Sequence, residues 1–541
     1  MRIRSRRNLK KKNGLIILLF LAPLLGTLTY AGMIFYILYD LNSFTYRLEP
    51  PNTEYFYDLE EDIDLARLEE MAFTFDYRLR YYNSPIGISV GVTFKNYSYT
   101  YDAIEKWRGT DNGAEAVAYS LSAACYKYKV YLDAENMSMV DNVTQDVRFY
   151  VNALCNMIAA PNGGLGINPE TGKYYSGILS RFACSYPDAV KYHPFMLEED
   201  PKHFNGTGKY QNWRVRLGTS RDEVSAYYMA WASVLAYIDP LANEDSEWCV
   251  EQVKTMVDQV LTHWKEEANW LVIDGHGYPT GSDVNPADWL LPALRVGASA
   301  VPEKWAPLYN YVAAKMLNIH DADMGDWMNA GFEYYGLGLG AQNMHTLILL
   351  EDNPQIRYHY IKNYEQGFHQ IVKYHRQLYF NMLHLIFMSM LDPHERKRFE
   401  DPRYTDDLIR WDVLDNLWRF HTSNWCPMRD YNLIQRPHST RSTSLNPEIR
   451  ARELDPTRVK WLNFFKTPVG GMFSWLDEAF GIDKKIYIKA RTVSEYWAGP
   501  MVWQNSPFEK EGGNPNNNGL TEEPGNSYTL VYWLGRIYDV I

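Results

Sequence analysis

The chain has 541 residues and a net charge of −12, enough for one large domain or several ordinary ones. Seven of its first twelve residues are Arg or Lys, so the remainder is more acidic than the whole; that balance excludes a nucleic-acid partner, which needs a basic footprint. Apolar residues make up 46%, and 42 Tyr with 17 Trp supply bulky side chains with polar tips, a profile that suits sugar-binding surfaces and packed helices alike.

Residues 15–39 form an apolar run without a charge, longer than the roughly 20 residues that a bilayer core requires. The basic cluster before it and Asp40 after it predict a single-pass signal anchor with the N-terminus in the cytoplasm. A cleaved signal peptide is the competing reading, but its apolar region is usually about 7–15 residues. The expected organisation is a basic cytoplasmic tail over 1–14, a transmembrane anchor over 15–39, a stalk or lead-in over 40–106, and one extracytoplasmic domain over 107–541. Asn-x-Ser/Thr triplets at Asn96, Asn136, Asn142 and Asn205 fit that placement.

Within the stalk, the β-branched alternation of 86–94 predicts a strand. From about 107 the pattern turns helical. A first helix opens near Asp111 and runs through Cys125, and a second covers 139–159, ended by the Pro161–Gly164 stretch. A long polar loop follows, through Arg181, His193 and Trp213. The third helix opens at Ser220, where Glu223 three residues on predicts a capping box. Val224, Tyr227, Tyr228, Trp231, Val234, Leu235 and Ile238 then recur at helical spacing. A fourth helix covers 246–270, and the polar stretch 274–283 follows it. Further helices fit 286–301, 303–317, 327–351, 358–391 and 406–421, and the last 120 residues or so are rich in loops. Tightly joined helix pairs read as αα-hairpins, and long loops gathered on one side usually carry function.

Several motifs in this order resemble a known group. They are Asp111-Asn-Gly-Ala-Glu115, Gly163-Gly-Leu-Gly before the loop with Arg181, Gly218-Thr-Ser-Arg-Asp-Glu, and Ile273-Asp-Gly-His-Gly-Tyr-Pro-Thr. Trp503-Gln-Asn-Ser-Pro-Phe508 and a C-terminal stretch from Glu523 to Arg536 complete the set. Together they resemble uncharacterised prokaryotic six-hairpin glycosidase-like proteins. The resemblance implies an all-α fold over 107–541, an (α/α)6 toroid with minor β and loop additions, and a carbohydrate partner.

Glycoside hydrolysis typically uses two carboxyl groups on either side of the scissile bond. Asp111, Asp222, Asp274 and Asp283 stand at loop–helix junctions on the long-loop side. Asp222, beside Arg221 at a helix N-terminus, suits an ionised base, and Asp274 is the expected second carboxylate. Asp111 and Asn112 are expected to bind hydroxyl groups, and Trp213 and Trp503 to stack on sugar rings, although aromatic residues of this kind also serve simply as packing. His276 and Tyr278, between flexible glycines, are expected to contact substrate; as proton-transfer groups they would make the protein a polysaccharide lyase or epimerase instead. A non-catalytic glycan-binding scaffold is the third reading.

No cofactor and no metal are expected. The sequence 318–326 lacks the Gly and terminal Glu of a calcium loop, and His359, His369, His375 and His384 have no zinc-motif spacing. The five cysteines are widely spaced without a CxxC; Cys125 with Cys155 is the first disulfide to consider, and buried apolar filling is the alternative.

Overall fold

A computed structural model describes residues 26–40, 48–273, 279–283, 287–325, 334–420, 455–476, 488–490, 492–493, 506–508 and 520–541. The described chain is mainly α-helical with three small antiparallel sheets.

The helices in order are α1 (26–40), α2 (Leu65–Arg78), α3 (Gly113–Asp133), α4 (Met137–Asn162), α5 (Tyr186–Tyr192), α6 (Arg221–Tyr237) and α7 (Glu244–Glu266). They continue with α8 (Ala287–Ala300), α9 (Pro302–Gly325), α10 (Tyr334–Leu350), α11 (Pro354–Asn363), α12 (Leu378–Ser389), α13 (Asp406–Arg419), α14 (Pro456–Phe465) and α15 (Asn526–Ile537). The strands are β1 (Val92–Phe94), β2 (Ile104–Trp107), β3 (Phe182–Ser185), β4 (His203–Asn205), β5 (Trp213–Arg216), β6 (Leu271–Ile273), β7 (Pro279–Asp283) and β8 (Thr521–Glu522).

Helices α3 and α6 carry no charge for most of their length and are buried on nearly every face, as helices apolar all round must be. They pack on each other. From this pair, neighbours run α6–α10–α12–α15 and back to α3, with α8 between α6 and α10. Helices α4, α7 and α9 pack outside α3 and α8 as the second members of consecutive pairs. Helix α4 ends where Gly163 turns left-handed (φ +82°), and Thr207 donates from its backbone N–H and side chain to the freed carbonyls of Ala160 and Pro161.

The principal core begins well before residue 107. Leu68, Met71, Ala72 and Phe75 of α2 are buried with the rest of it, and α2 packs on α15. Arg78 donates two hydrogen bonds to the Glu522 carboxylate, at 2.8 and 2.6 Å. Strand β1 pairs with both β2 and β8, placing Val92 opposite Trp107 and Glu522. Residues 65–107 therefore form part of the same folded body as the C-terminus and do not stand apart from it as a stalk. The strand expected over 86–94 shortens to Val92–Phe94.

Helix α1 overlaps the far half of the expected anchor; residues 15–25 lie outside the described residues. Ile37 is buried among Trp461, Phe465, Phe473 and Leu476, and Tyr30 stacks on Phe473 at 4.7 Å. Asp40 closes the contact through Lys460 and the Trp461 indole N–H, each at 2.9 Å. Among the described residues no helix is long and apolar enough to cross a membrane. All four sequon asparagines are exposed. Cys125, Cys155, Cys184 and Cys249 are buried free thiols, so Cys125 and Cys155 are not bridged; Cys426 lies outside the described residues.

Three helices differ from expectation. Helix α3 continues to Asp133, eight residues past Cys125. Helix α9 continues to Gly325, eight residues past its expected end at 317. The helix expected over 358–391 is interrupted: α11 passes into a π-helical segment, Tyr364–His369, and the chain then reverses around Arg376 (φ +55°) before α12. Arg376 is buried and ion-paired to Asp412 at 2.7 Å and Asp415 at 2.6 Å, both on α13. That double pairing holds a conformation which local preference disfavours.

Candidate active site

The starts of α3, α6 and α8 meet at one end of the helical body, and the contacts described below join them. Two glycines make the approach possible. At Gly113 a Cβ would lie 2.4 Å from the Arg181 carbonyl oxygen, so only glycine lets α3 begin against β3. Gly218 has φ +80° and turns the chain from β5 into α6.

Arg181 ties the two helix mouths together. Its Nε donates to the Gly218 carbonyl (2.8 Å), one terminal nitrogen to the Asp111 carbonyl (3.1 Å) and Asn112 Oδ1 (2.9 Å), and the other to Ser220 Oγ. Ser220 Oγ in turn donates to Asp222 Oδ1. Asp111, Asn112, Ser220 and Asp222 are thus gathered into one hydrogen-bonded group, although 70 residues separate Asp111 from Arg181. Asp222 is almost wholly buried, at 8% exposure.

The expected capping box does not form. Ser220 makes no side-chain cap bond to its own helix. Glu223 reaches across instead, and its Oε2 accepts from the backbone N–H of Ala114 at 3.0 Å, capping α3 from α6. The reason is packing: α6 is buried all round, so a side chain from its first turn points into the neighbouring helix. Glu115 is held similarly, accepting from Asn112 Nδ2 (3.1 Å) and the Tyr119 hydroxyl (3.0 Å). Burial, reinforced by the Asp222 and Glu115 carboxylates, pushes the Glu223 carboxyl well above the usual range, against the pull of Arg181 and the Ala114 N–H. Its Oε1 is buried without a hydrogen-bond partner. Glu223, Glu115, Arg181 and Ser220 are the members of this cluster that were not expected as site residues. The signal for the two glutamates was present in the long uncharged runs after them, which force first-turn carboxylates inward.

Arg221 sets its guanidinium over the Trp289 ring of α8, 5.5 Å from the centroid. Asp111 is exposed and ion-paired with Arg216, which also reaches Asp200 at 3.4 Å and His203 Nε2 at 3.0 Å. A groove of about 590 Å³ begins two residues before Asp111, with Trp107, Arg108, Phe195, Glu198 and Glu523 among its lining residues. Burial raises the Glu523 carboxyl despite its ion pair with Arg108.

Trp213 falls elsewhere. Successive residues of a strand face opposite sides, so Trp213 and Val215 share the core face of β5, opposite to Arg216. The Trp213 ring packs edge-on against Tyr210 at 5.4 Å. Asp274, His276, Tyr278 and Trp503 lie outside the described residues, as does the side chain of Asp283, whose backbone pairs with Leu271 in the β6–β7 hairpin leading to α8.

The scattered histidines also look different in three dimensions. Glu365 and His369 share one face of the π segment, and the reversal at Arg376 lays His384 of α12 upon His369, with ring centroids 3.8 Å apart and 15° between planes. Glu365 Oε2 lies 2.7 Å from His384 Nδ1 and 3.2 Å from His369 Nδ1.

No protein-family model matches the chain, and no curated protein matches it significantly.

Proposed function

We propose that this is a membrane-anchored, extracytoplasmic (α/α)6-toroid protein that hydrolyses glycosidic bonds, with Asp222 as one of its carboxylates. The observation that carries the reading is that Asp222 and Glu223, two carboxyl groups in different surroundings, stand where the mouths of α3 and α6 are joined. Neighbouring carboxyl groups with divergent environments are the usual means of obtaining an acid and a base from one residue type. Asp222, bonded to Ser220 and close to helix N-termini, suits the base or nucleophile. The second carboxylate is Asp274, as its position before α8 suggests, or the buried Glu223. The toroid reading is supported by the closed order of neighbours from α3 through α6, α10, α12 and α15, with paired helices outside. The anchor reading is supported by the basic tail, the apolar run and the exposed sequons.

The test is release of reducing ends from a panel of neutral polysaccharides by the full chain in detergent. Asp222→Asn should lower the rate at least about 100-fold, as loss of a general base or nucleophile does, with thermal stability nearly unchanged. Full activity in both Asp222→Asn and Asp274→Asn removes the paired-carboxylate assignment.

One observation favours a second reading, a glycan-binding scaffold without turnover. Glu223 and Glu115 are fully buried and already engaged in holding helix starts. Glycan binding without any released product would select this reading. An unsaturated, ultraviolet-absorbing product would select the lyase or epimerase reading instead.

A further inference from the structure

The Glu365–His369–His384 cluster is distant in sequence from the helix mouths and plays no part in the proposed hydrolysis. All three side chains are buried, with exposures of 0, 3 and 2%. One donor atom from each lies within 4.8 Å of the others. Two imidazole nitrogens and one carboxylate oxygen are a donor set that divalent transition metals favour over calcium or magnesium.

Three features go beyond a chance cluster. First, the two Nδ1 atoms face the same carboxylate oxygen, at 2.7 and 3.2 Å. A tetrahedral zinc site with bonds of about 2.0–2.1 Å separates its donors by roughly 3.4 Å, so admitting the ion requires the Glu365–His384 pair to open by about 0.7 Å and the Glu365–His369 pair by about 0.2 Å. Second, His384 Nε2 lies 3.2 Å from Asp406 Oδ1, and Asp406 is itself paired with Arg396 at 2.8 Å. A ligand histidine whose outer nitrogen donates to a carboxylate is the usual support of a metal centre, because it fixes the tautomer and the ring orientation. Third, Glu365 Oε1 and His369 Nε2 are buried without hydrogen-bond partners. Leaving such atoms unsatisfied typically costs about 1–3 kcal/mol each, and an ion held by both carboxylate oxygens removes that penalty at Glu365 Oε1 while leaving His369 Nε2 unchanged.

We propose that Glu365, His369 and His384 bind a divalent transition metal, with zinc as the probe, in a buried three-ligand site. Asp406 orients His384 from α13. The ion joins the π segment to α12 and, through Asp406, to the first turn of α13, on either side of the chain reversal at Arg376. A π-helical turn is uncommon and recurs at functional sites; here it places Glu365 and His369 on one face toward α12.

The test uses the untagged full chain in detergent, stripped with a chelator, re-equilibrated with zinc and freed of loose metal. One zinc per chain is expected by elemental analysis, and His369→Ala with His384→Ala should lower it at least tenfold. Zinc X-ray absorption of the wild-type protein needs no variant to fold, and should show two imidazoles and an oxygen shell at about 2.0–2.1 Å. Glu365→Gln, which keeps the side-chain shape, should weaken retention of zinc while leaving the fold intact by circular dichroism. Wild-type protein that retains less than a tenth of an equivalent overturns the proposal. So does zinc undiminished in a folded double-histidine variant, or an absorption spectrum without imidazole.

Discussion

Two buried glutamates in this molecule face opposite company. Glu223 sits with two other carboxylates, Asp222 and Glu115, while Glu365 sits between two imidazoles. Burial alone would raise both carboxyls. At Glu223 the like charges add to burial and the group is pushed up. At Glu365 the His384 and His369 rings outweigh burial and the carboxyl is held below its usual range. Burial likewise pulls His384 down, but Glu365 and Asp406 hold it at about 9. Two carboxyls of equal burial are therefore shifted in opposite directions, and their neighbours decide which.

The largest expected effect breaks the second cluster. In metal-free protein, Glu365→Ala removes the nearer of the two carboxylates paired with His384, leaving Asp406 alone, and should cost about 3 kcal/mol, the low end for breaking a buried pair. Chemical denaturation followed by tryptophan fluorescence would read it. Next comes Glu223→Ala, which removes the acceptor of the Ala114 N–H and leaves a cavity, for about 2–3 kcal/mol. Arg181→Ala should follow, at about 1–3 kcal/mol from its unsatisfied partners, and it should also reduce any hydrolytic rate, because Ser220 and Asp222 lose their common anchor.

Glu223→Gln sharpens the contrast. The amide resembles the neutral acid, so the cost should be under about 1 kcal/mol at neutral pH. Its pH dependence carries the sign. Because the native carboxyl is raised, the native state holds a proton that the unfolded chain gives up near its ordinary value. That contribution is complete below about pH 4.5, and it fades as pH climbs toward the raised native value. The Gln variant should therefore lose less stability over that rise than the wild type, and parallel curves would contradict a neutral Glu223. Smallest of all, Trp213→Phe should change stability by no more than about 1 kcal/mol and leave the affinity for any glycan unaltered.

Much of the helical plan was readable from periodicity, because α4, α6, α7, α8 and α13 begin and end within a few residues of their expected places, and α3 begins where expected but runs eight residues past Cys125. Asp111, Asn112 and Asp222 were also readable as one group, since junction residues on the same side of consecutive hairpins must meet. What periodicity does not contain is company across elements. Ser220 and Glu223 have capping-box spacing, yet the neighbouring helix claims the glutamate. The interval of four between Glu365 and His369 was visible, but His384 joins them only through the break at Arg376, and the two aspartates that stabilise that break lie 36 and 39 residues further on. Residues 65–107 read as a lead-in because their partners stand at the opposite end of the chain.

That last pairing bears on how the protein is made. Strand β1 receives β8 only after more than 400 further residues have been synthesised, and α2 must wait as long for α15. Until then the apolar faces of α2 and α3 are without their final cover, and the early segments need protection from aggregation by chaperones or by transient local packing. Closure so distant in sequence also predicts slow folding, since long loops must form before the last contacts reward them. A nascent chain stopped before residue 520 should accordingly be protease-sensitive along α2, and completing the final twenty or so residues should bring resistance to both ends at once.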